Sequence, residues 1–243
     1  MTAVPKTPGD IAIMKSFLLK NLAFSSWSHE AMSQLLSSSR MNCHAAGSFF
    51  SSELNGEAEI FLIISGEALF TLVYGENRKN VVMIVGSGAL MGIAQIFDGA
   101  GHCHFAFRAH SSVTAIHMPT SVIVEILDRE PALWKNMITM MARQHAAYVH
   151  TLSGQIAGSL RQRVATTVER LVTLYGARAR GDSLIRLKMS QAELALMLQA
   201  NRQAVHKELK AIAASGAIRL EYKAVAIQDI DLLRSYSIQA QGD

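Results

Sequence analysis

Apolar positions change their spacing along the chain, and each change marks a different kind of structure. Residues 1–9 hold two of the four prolines and read as a loose tail. Ile11–Ala23 and Ser28–Ser37 read as helices, with Phe24 and Trp27 as staples joining them to the core. From about Ala46 to Met118 the pattern turns to short apolar runs broken by glycine: Ile60–Ile64, Ala68–Val73, Val81–Val85, Ala89–Met91, Phe105–Ala109 and Val113–Met118. Many short strands with regular turns predict a β-sandwich or a jelly-roll-like barrel. Thr120–Leu127 reads as a helix, and Pro131 is placed to start another that runs unbroken to about Ala157. In this long helix Met137, Met141, Gln144, Tyr148 and Thr151 recur at spacings of four and three, a heptad-like seam that predicts a helix-to-helix dimer interface. Gly154 and Gly158 at its end are candidate hinge points.

Leu160–Tyr175 is amphipathic at helical spacing, with Val164, Val168, Leu171 and Leu174 inward. Gly176–Asp182 reads as a basic loop and Ser183–Lys188 as a short strand. The stretch Ser190–Lys210 then predicts two short helices joined by a tight turn. Ser190 followed by Glu193 has capping-box spacing, and Leu194, Ala195 and Leu198 form one apolar face. Asn201 opens the second helix, in which Ala204, Val205 and Leu209 face inward while Arg202, Gln203, His206 and Lys207 point away. These polar types can read base edges in a DNA major groove. Beyond Gly216, Ile218–Tyr222 and Ala224–Gln228 read as a hairpin turning near Lys223, and Asp229 caps a last helix with Leu232 and Leu233. Helix, helix, helix, hairpin is the order of a winged helix-turn-helix.

Charge sharpens this division. Residues 1–153 carry 10 Lys/Arg against 11 Asp/Glu, a net of −1, whereas residues 154–243 carry 13 against 8, a net of +5. A nucleic-acid partner would therefore meet the carboxyl-terminal third. Cys43 and Cys103 stand far apart in no metal-ligand spacing, which fits a reducing cytoplasm. The start lacks the pattern of a signal peptide, and the apolar run Val81–Phe97 is interrupted by Gly86, Gly88 and Gly92, so no membrane partner is expected. No phosphate-binding loop, nucleophile elbow or paired-carboxylate arrangement is present, and the expectation is a protein that is not an enzyme.

The set Ser190-Gln191-x-Glu193-Leu194-Ala195, then Asn201-Arg202-x-x-Val205-x-Lys207-x-Leu209, then Gly216-x-Ile218, resembles the cyclic-AMP receptor protein/FNR (Crp/Fnr) family of bacterial transcription regulators. The resemblance extends over nearly the whole length. It implies an α+β chain with a cyclic-nucleotide-binding-like β-roll (jelly roll) over residues 10–130, a dimerisation helix and hinge over 131–158, and a winged helix-turn-helix over 159–243. It also implies a homodimer on a two-fold symmetric operator in double-stranded DNA, with RNA polymerase as a further partner if the protein activates. The DNA-facing set would be Ser190, Gln191, Asn201, Arg202, Gln203, His206 and Lys207. Arg202 suits guanine O6 and N7, Lys207 a guanine or a phosphate, and Gln203, where the family commonly has glutamate, suits adenine N6 and N7. His206 could touch phosphate or simply be exposed. Gln199 stands in a turn where the family usually has glycine, so a side chain is expected in a left-handed backbone conformation at a cost of about 1 kcal/mol.

Cyclic-AMP-binding relatives use a Gly-Glu pair and an Arg-Ser pair. Aligned through Gly92, this chain has Ile93 for the carboxylate that holds the ribose, and Cys103 with His104 for the arginine and its neighbour. Tyr148 and Val149 stand where adenine-contacting hydroxyl residues are expected. An anionic cyclic phosphate would lose several kcal/mol of charge-assisted bonding without its cation and ribose acceptor. The pocket, with Phe105 among its lining, is therefore expected to be degenerate, leaving a regulator that is effector-independent or answers to a different ligand. No metal or cofactor is expected: Cys43 stands apart from any iron–sulfur cysteine cluster, and His102, Cys103, His104 and His145 read as loop or surface residues rather than haem ligands. The alternative is a metal-dependent cupin-like enzyme built on His102-x-His104, which lacks the glutamate expected at short range, since the next acidic residue is Glu125.

Overall fold

The computed structural model describes residues 7–50, 53–54, 57–74, 78–96, 104–178 and 184–237. The chain divides into two compact units, residues 1–79 with 83–147 and residues 148–243 with 80–82.

The first unit opens with helix α1, Pro8–Lys20. It begins three residues before the expected start, because Thr7 and Asp10 form a reciprocal capping box and Pro8 takes the first position, where a missing N–H costs nothing. Helix α2, His29–Ser38, is capped by Ser28, and between the two helices Phe24 and Trp27 meet edge to face at 5.1 Å in the core. Strand β1, Arg40–His44, was not expected, since Met41 and Cys43 are its only apolar positions. It pairs with β9, Val113–Pro119, which pairs with β4, Glu57–Ser65, itself flanked by β3, Glu53–Leu54, and β7, Leu90–Met91. A second sheet runs β2 (Phe49–Phe50), β8 (His104–Ala109), β5 (Ala68–Tyr74) and β6 (Arg78–Val85).

The alternation of a strand sends its side chains to opposite faces. Ile60 and Leu62 of β4, with Ile116 and Met118 of β9, pack into a core shared with α1, α2 and helix α3, Thr120–Arg129. Phe61 points the other way and meets Phe50 and Phe107 of the second sheet at ring distances of 5.3 and 4.7 Å. Fully burying such a ring stabilises by about 1.5–3 kcal/mol, so the two layers have separate apolar reasons to stay together. After a 3-10 turn at Pro131–Leu133 comes the long helix α4, Trp134–Ile156.

The second unit begins its compact part with α5, Leu160–Tyr175, capped by a Ser159/Gln162 box directly after Gly158, whose φ is +79°. A four-stranded antiparallel sheet follows the order β10 (Ala177–Arg178), β11 (Ile185–Lys188), β13 (Ala224–Ile227) and β12 (Ile218–Glu221). Strand β10 corrects the expectation of a loop there: its two residues pair with Ile185 and Arg186. Residues 179–182 of the expected loop and Ser183 of the expected strand lie outside the described residues. Helices α6, Gln191–Met197, and α7, Arg202–Ala214, lie between β11 and β12, and α8, Ile230–Tyr236, closes the unit under an Asp229 cap. Val164, Val168, Leu194, Val205, Leu209 and Leu233 are all buried in the unit's core.

Candidate nucleic-acid interface

The start of α6 is fixed by its own sequence. Ser190 Oγ accepts from the Glu193 N–H at 3.2 Å, and the Glu193 carboxylate accepts from the Ser190 N–H at 3.0 Å. Two N–H groups that the helix geometry leaves unpaired are thereby satisfied. At its other end Arg163 of α5 donates to the Leu198 carbonyl, tying the turn to the helix beneath it. Gln199 in this turn has a φ of +48°, the left-handed conformation expected there without a glycine. Asn201 then caps α7, its Oδ1 accepting from the Gln203 N–H at 2.7 Å.

Val205, Leu209 and Ile212 anchor α7 in the core, and Ala204 is only partly covered. Arg202, Gln203, Lys207 and Lys210 are exposed on the opposite side. Glu208, the acidic residue of α7, accepts from Arg161 Nε at 2.7 Å, so the outward face keeps a positive balance. His206 is half-buried, and its Nδ1 is enclosed without a hydrogen-bond partner.

Beside the helices stands the β12–β13 hairpin. Glu221 pairs with Ala224, leaving Tyr222 and Lys223 as a two-residue tip. Lys223 has a φ of +51°, and Tyr222 is 89% exposed. The Glu221 carboxylate is held by Arg219 at 2.6 Å and Arg186 at 3.0 Å, and those hydrogen bonds lower its pKa. Between the hairpin and the helices lies a cleft of about 500 Å³, with Val168, Leu187 and Leu209 in its wall and Gln191, Arg202 and Lys223 along its lining.

The residues of the expected effector pocket divide. Gly92 has a φ of +88°, and a Cβ there would stand 2.5 Å from the Glu59 carbonyl oxygen, so backbone packing requires glycine. Ile93 is 4% exposed within the apolar core. Cys103 and His102 lie outside the described residues, and of His104 and Phe105 only the backbone, in β8, is described. Tyr148 is half-buried, Val149 is 49% exposed and His145 is exposed. On α4, Gln144 donates to the Leu90 carbonyl at 2.8 Å, two residues before Gly92.

The residues of the expected seam on α4 and their neighbours one position on differ in burial within this chain. Met137 is fully buried in the core of its own unit, Met141 packs against that core, and Gln144 is bonded to β7. Thr151 carries no described side chain. The exposed positions at heptad spacing are instead Ile138, Ala142, His145, Val149, Leu152 and Ile156, the last 76% exposed. Both rows follow the same period, and sequence alone could not say which of them faced the β-roll.

One cluster was not foreseen from sequence. Arg40 of β1 makes a two-pronged ion pair with Glu59 of β4, and His117 Nδ1 of β9 lies 3.2 Å from the same carboxylate. His44 Nε2 stands 3.0 Å from His117 Nε2, with its ring stacked on Phe50 at 4.2 Å. Burial alone would raise the Glu59 carboxyl, but hydrogen bonds from His117 and Arg40 and the guanidinium charge hold it at about 2. An ionised carboxylate only accepts, so His117 Nδ1 is the donor to it. Arg40, Asn42 and His44 alternate with Met41 and Cys43, and that alternation is the one signal from which β1 could have been read.

Among the described residues no helix is long and apolar enough to cross a membrane, and no group of three or more His, Cys, Asp or Glu side chains could hold a metal ion. Residues 162–236 match the Crp-like helix-turn-helix domain. A CRP-like cAMP-activated global transcriptional regulator of Mycobacterium tuberculosis is 26% identical over 174 residues, covering 72% of this chain and 77% of that protein. Among solved structures, FixK2 from Bradyrhizobium japonicum superimposes with a TM-score of 0.68 at 12% identity, over 83% of this chain and 98% of that one. TTHB099, a transcriptional regulator of the CRP family from Thermus thermophilus, gives 0.66 at 19% identity, over 80% and 95%. The amino-terminal antiparallel sheets followed by the helix-turn-helix match the Crp/Fnr architecture, and a cupin is not favoured.

Proposed function

We propose that this chain, a DNA-binding transcription regulator of the Crp/Fnr family, works as a homodimer whose two α7 helices enter successive major grooves of a two-fold symmetric operator. The observation that carries the reading is the outward set Arg202, Gln203 and Lys207 on a helix whose start, turn and buried face are all fixed by local capping and packing. Arg202 offers a bidentate fork to guanine, Gln203 pairs with adenine, and Lys207 reaches guanine or phosphate. Ser190, Gln191 and Asn201, at the helix starts, hold the duplex rather than read it. The exposed row Ile138, Ala142, His145, Val149, Leu152 and Ile156 is the dimer seam.

The regulator does not use cyclic AMP. Ile93 is spent on the core, and Gln144 ties α4 to β7 with a protein hydrogen bond, so the contact between long helix and β-roll needs no ligand to make it. The test is selection of bound sequences from a random duplex pool, followed by titration of Arg202→Ala. The variant should lose about 1–3 kcal/mol on the selected operator while keeping its weak binding to random duplex. Equal losses on both would make Arg202 a phosphate contact and refute the assignment.

A further inference from the structure

We propose that the cleft between the β12–β13 hairpin and helices α6 and α7 binds a small anionic amphipath, a carboxylate on an apolar body, and that its occupation antagonises DNA binding. This rests on the regulator reading above and adds a ligand to the same unit of the chain. The cleft holds about 500 Å³. Sites that enclose small molecules run from about 300 to about 1,000 Å³ and are lined mainly by apolar side chains with a few polar groups that fix orientation. The lining here has that composition. Leu187, Leu209 and Val225 are buried and so form its deep end, while Leu220 and Ala224 are half-buried and lie nearer to solvent. Apolar surface in a concave site is best covered by an apolar body, which leaves water as it enters.

Charge selects the head group. Arg202 and Lys223 both line the cleft and both are exposed, so they stand at its mouth. The carboxylate in the lining, Glu221, is engaged by Arg219 at 2.6 Å and Arg186 at 3.0 Å, so it does not cancel them. A guanidinium takes a carboxylate through two parallel N–H donors, which fixes the head while the body meets Leu187, Leu209 and Val225. A nucleotide does not match this lining, because its polar base and sugar edges would lie against those three side chains without partners. The consequence for regulation follows from Arg202. One guanidinium cannot hold a carboxylate and fork a guanine together, so ligand and operator exclude each other, and each weakens the other by the same factor.

The full-length protein is titrated calorimetrically with decanoate, octanoate, decyltrimethylammonium and acetate. Decanoate should bind about tenfold more tightly than octanoate, because each methylene taken into an apolar site is worth about a factor of three to four. The cationic and the chainless probes should not bind. Arg202→Gln should weaken decanoate by about tenfold or more, and Arg202→Gln with Lys223→Gln should abolish binding. Both positions are exposed, so the variants keep the fold, which their thermal midpoints check. Decanoate at ten times its own Kd should raise the operator Kd of the parent about tenfold, and acetate at the same concentration should leave it alone. Absence of decanoate binding, equal binding of the cationic probe, or full decanoate affinity in the double variant overturns the proposal. So does an operator affinity untouched by bound decanoate. Operator binding without decanoate binding removes the ligand site and leaves the regulator reading intact, whereas decanoate binding without any duplex binding overturns the regulator reading itself.

Discussion

Inside the β-roll the Nε2 atoms of His44 and His117 face each other at 3.0 Å, at the end of a chain of contacts that begins with Arg40 and Glu59. Burial first, then positive charge on His117 and Arg40, pushes the pKa of His44 from 6.5 down to about 4. Between those values the unfolded chain binds more protons than the folded one. The contribution of His44 is thus complete above pH 6.5 and is lost as pH falls towards 4. Glu59, lowered from 4.5 to about 2, extends the loss to more acid conditions. Urea unfolding should show stability falling by on the order of 1–3 kcal/mol between about pH 7 and about pH 4.5. His44→Phe should flatten that slope, and a slope unchanged in the variant would remove His44 as its source.

The rows on α4 separate packing from association. Ile156→Asp, at a position 76% exposed, should leave the unfolding midpoint of the monomer nearly unchanged but shift sedimentation from dimer to monomer. Met137→Ala, at a position fully buried, should cost about 2–5 kcal/mol of stability and leave the association of the folded protein intact. The reverse pattern would restore the row through Met137 as the seam.

Much of the carboxyl-terminal unit was legible in sequence because its signals are local. Ser190 with Glu193, Asn201 and Asp229 each cap a helix through atoms within three residues, and the left-handed Gln199 followed from the resemblance, which puts a glycine in that turn. What stayed hidden depends on distant partners. Arg40, Glu59 and His117 sit on three strands, and in a run such as RMNCH the alternation is short and its inward positions are polar, so it does not read as a buried strand. The two heptad rows on α4 could not be told apart in sequence for a related reason: period is a property of the helix, whereas the face it buries is a property of its neighbours.

Cyclic AMP should leave both thermal midpoint and operator affinity unchanged. A ligand that bound the folded state at a hundred times its Kd would add about 2.7 kcal/mol, a shift easily read by thermal melting. Gln144→Ala, which removes the bond to the Leu90 carbonyl, should itself cost about 1 kcal/mol. Clear stabilisation by micromolar cyclic AMP in the parent protein would refute the degenerate pocket.

Gln199→Gly offers a check on the turn between α6 and α7. Relief of about 1 kcal/mol of left-handed strain is partly offset by the greater freedom of glycine in the unfolded chain, for a net gain of about 0.5 kcal/mol. Denaturant unfolding of parent and variant measures it. A loss instead would mean that the Gln199 side chain contributes contacts of its own.

The close approach of Gly92 to the Glu59 carbonyl bears on how chains of this kind are sorted. A glycine whose side chain is forbidden by a neighbouring strand will persist under selection for folding, whatever residue comes after it. The next position is under no backbone constraint of that kind, and here it is an isoleucine buried in the core. A motif search that scores the glycine therefore scores a backbone constraint, and the column that bears on ligand chemistry is the one beside it.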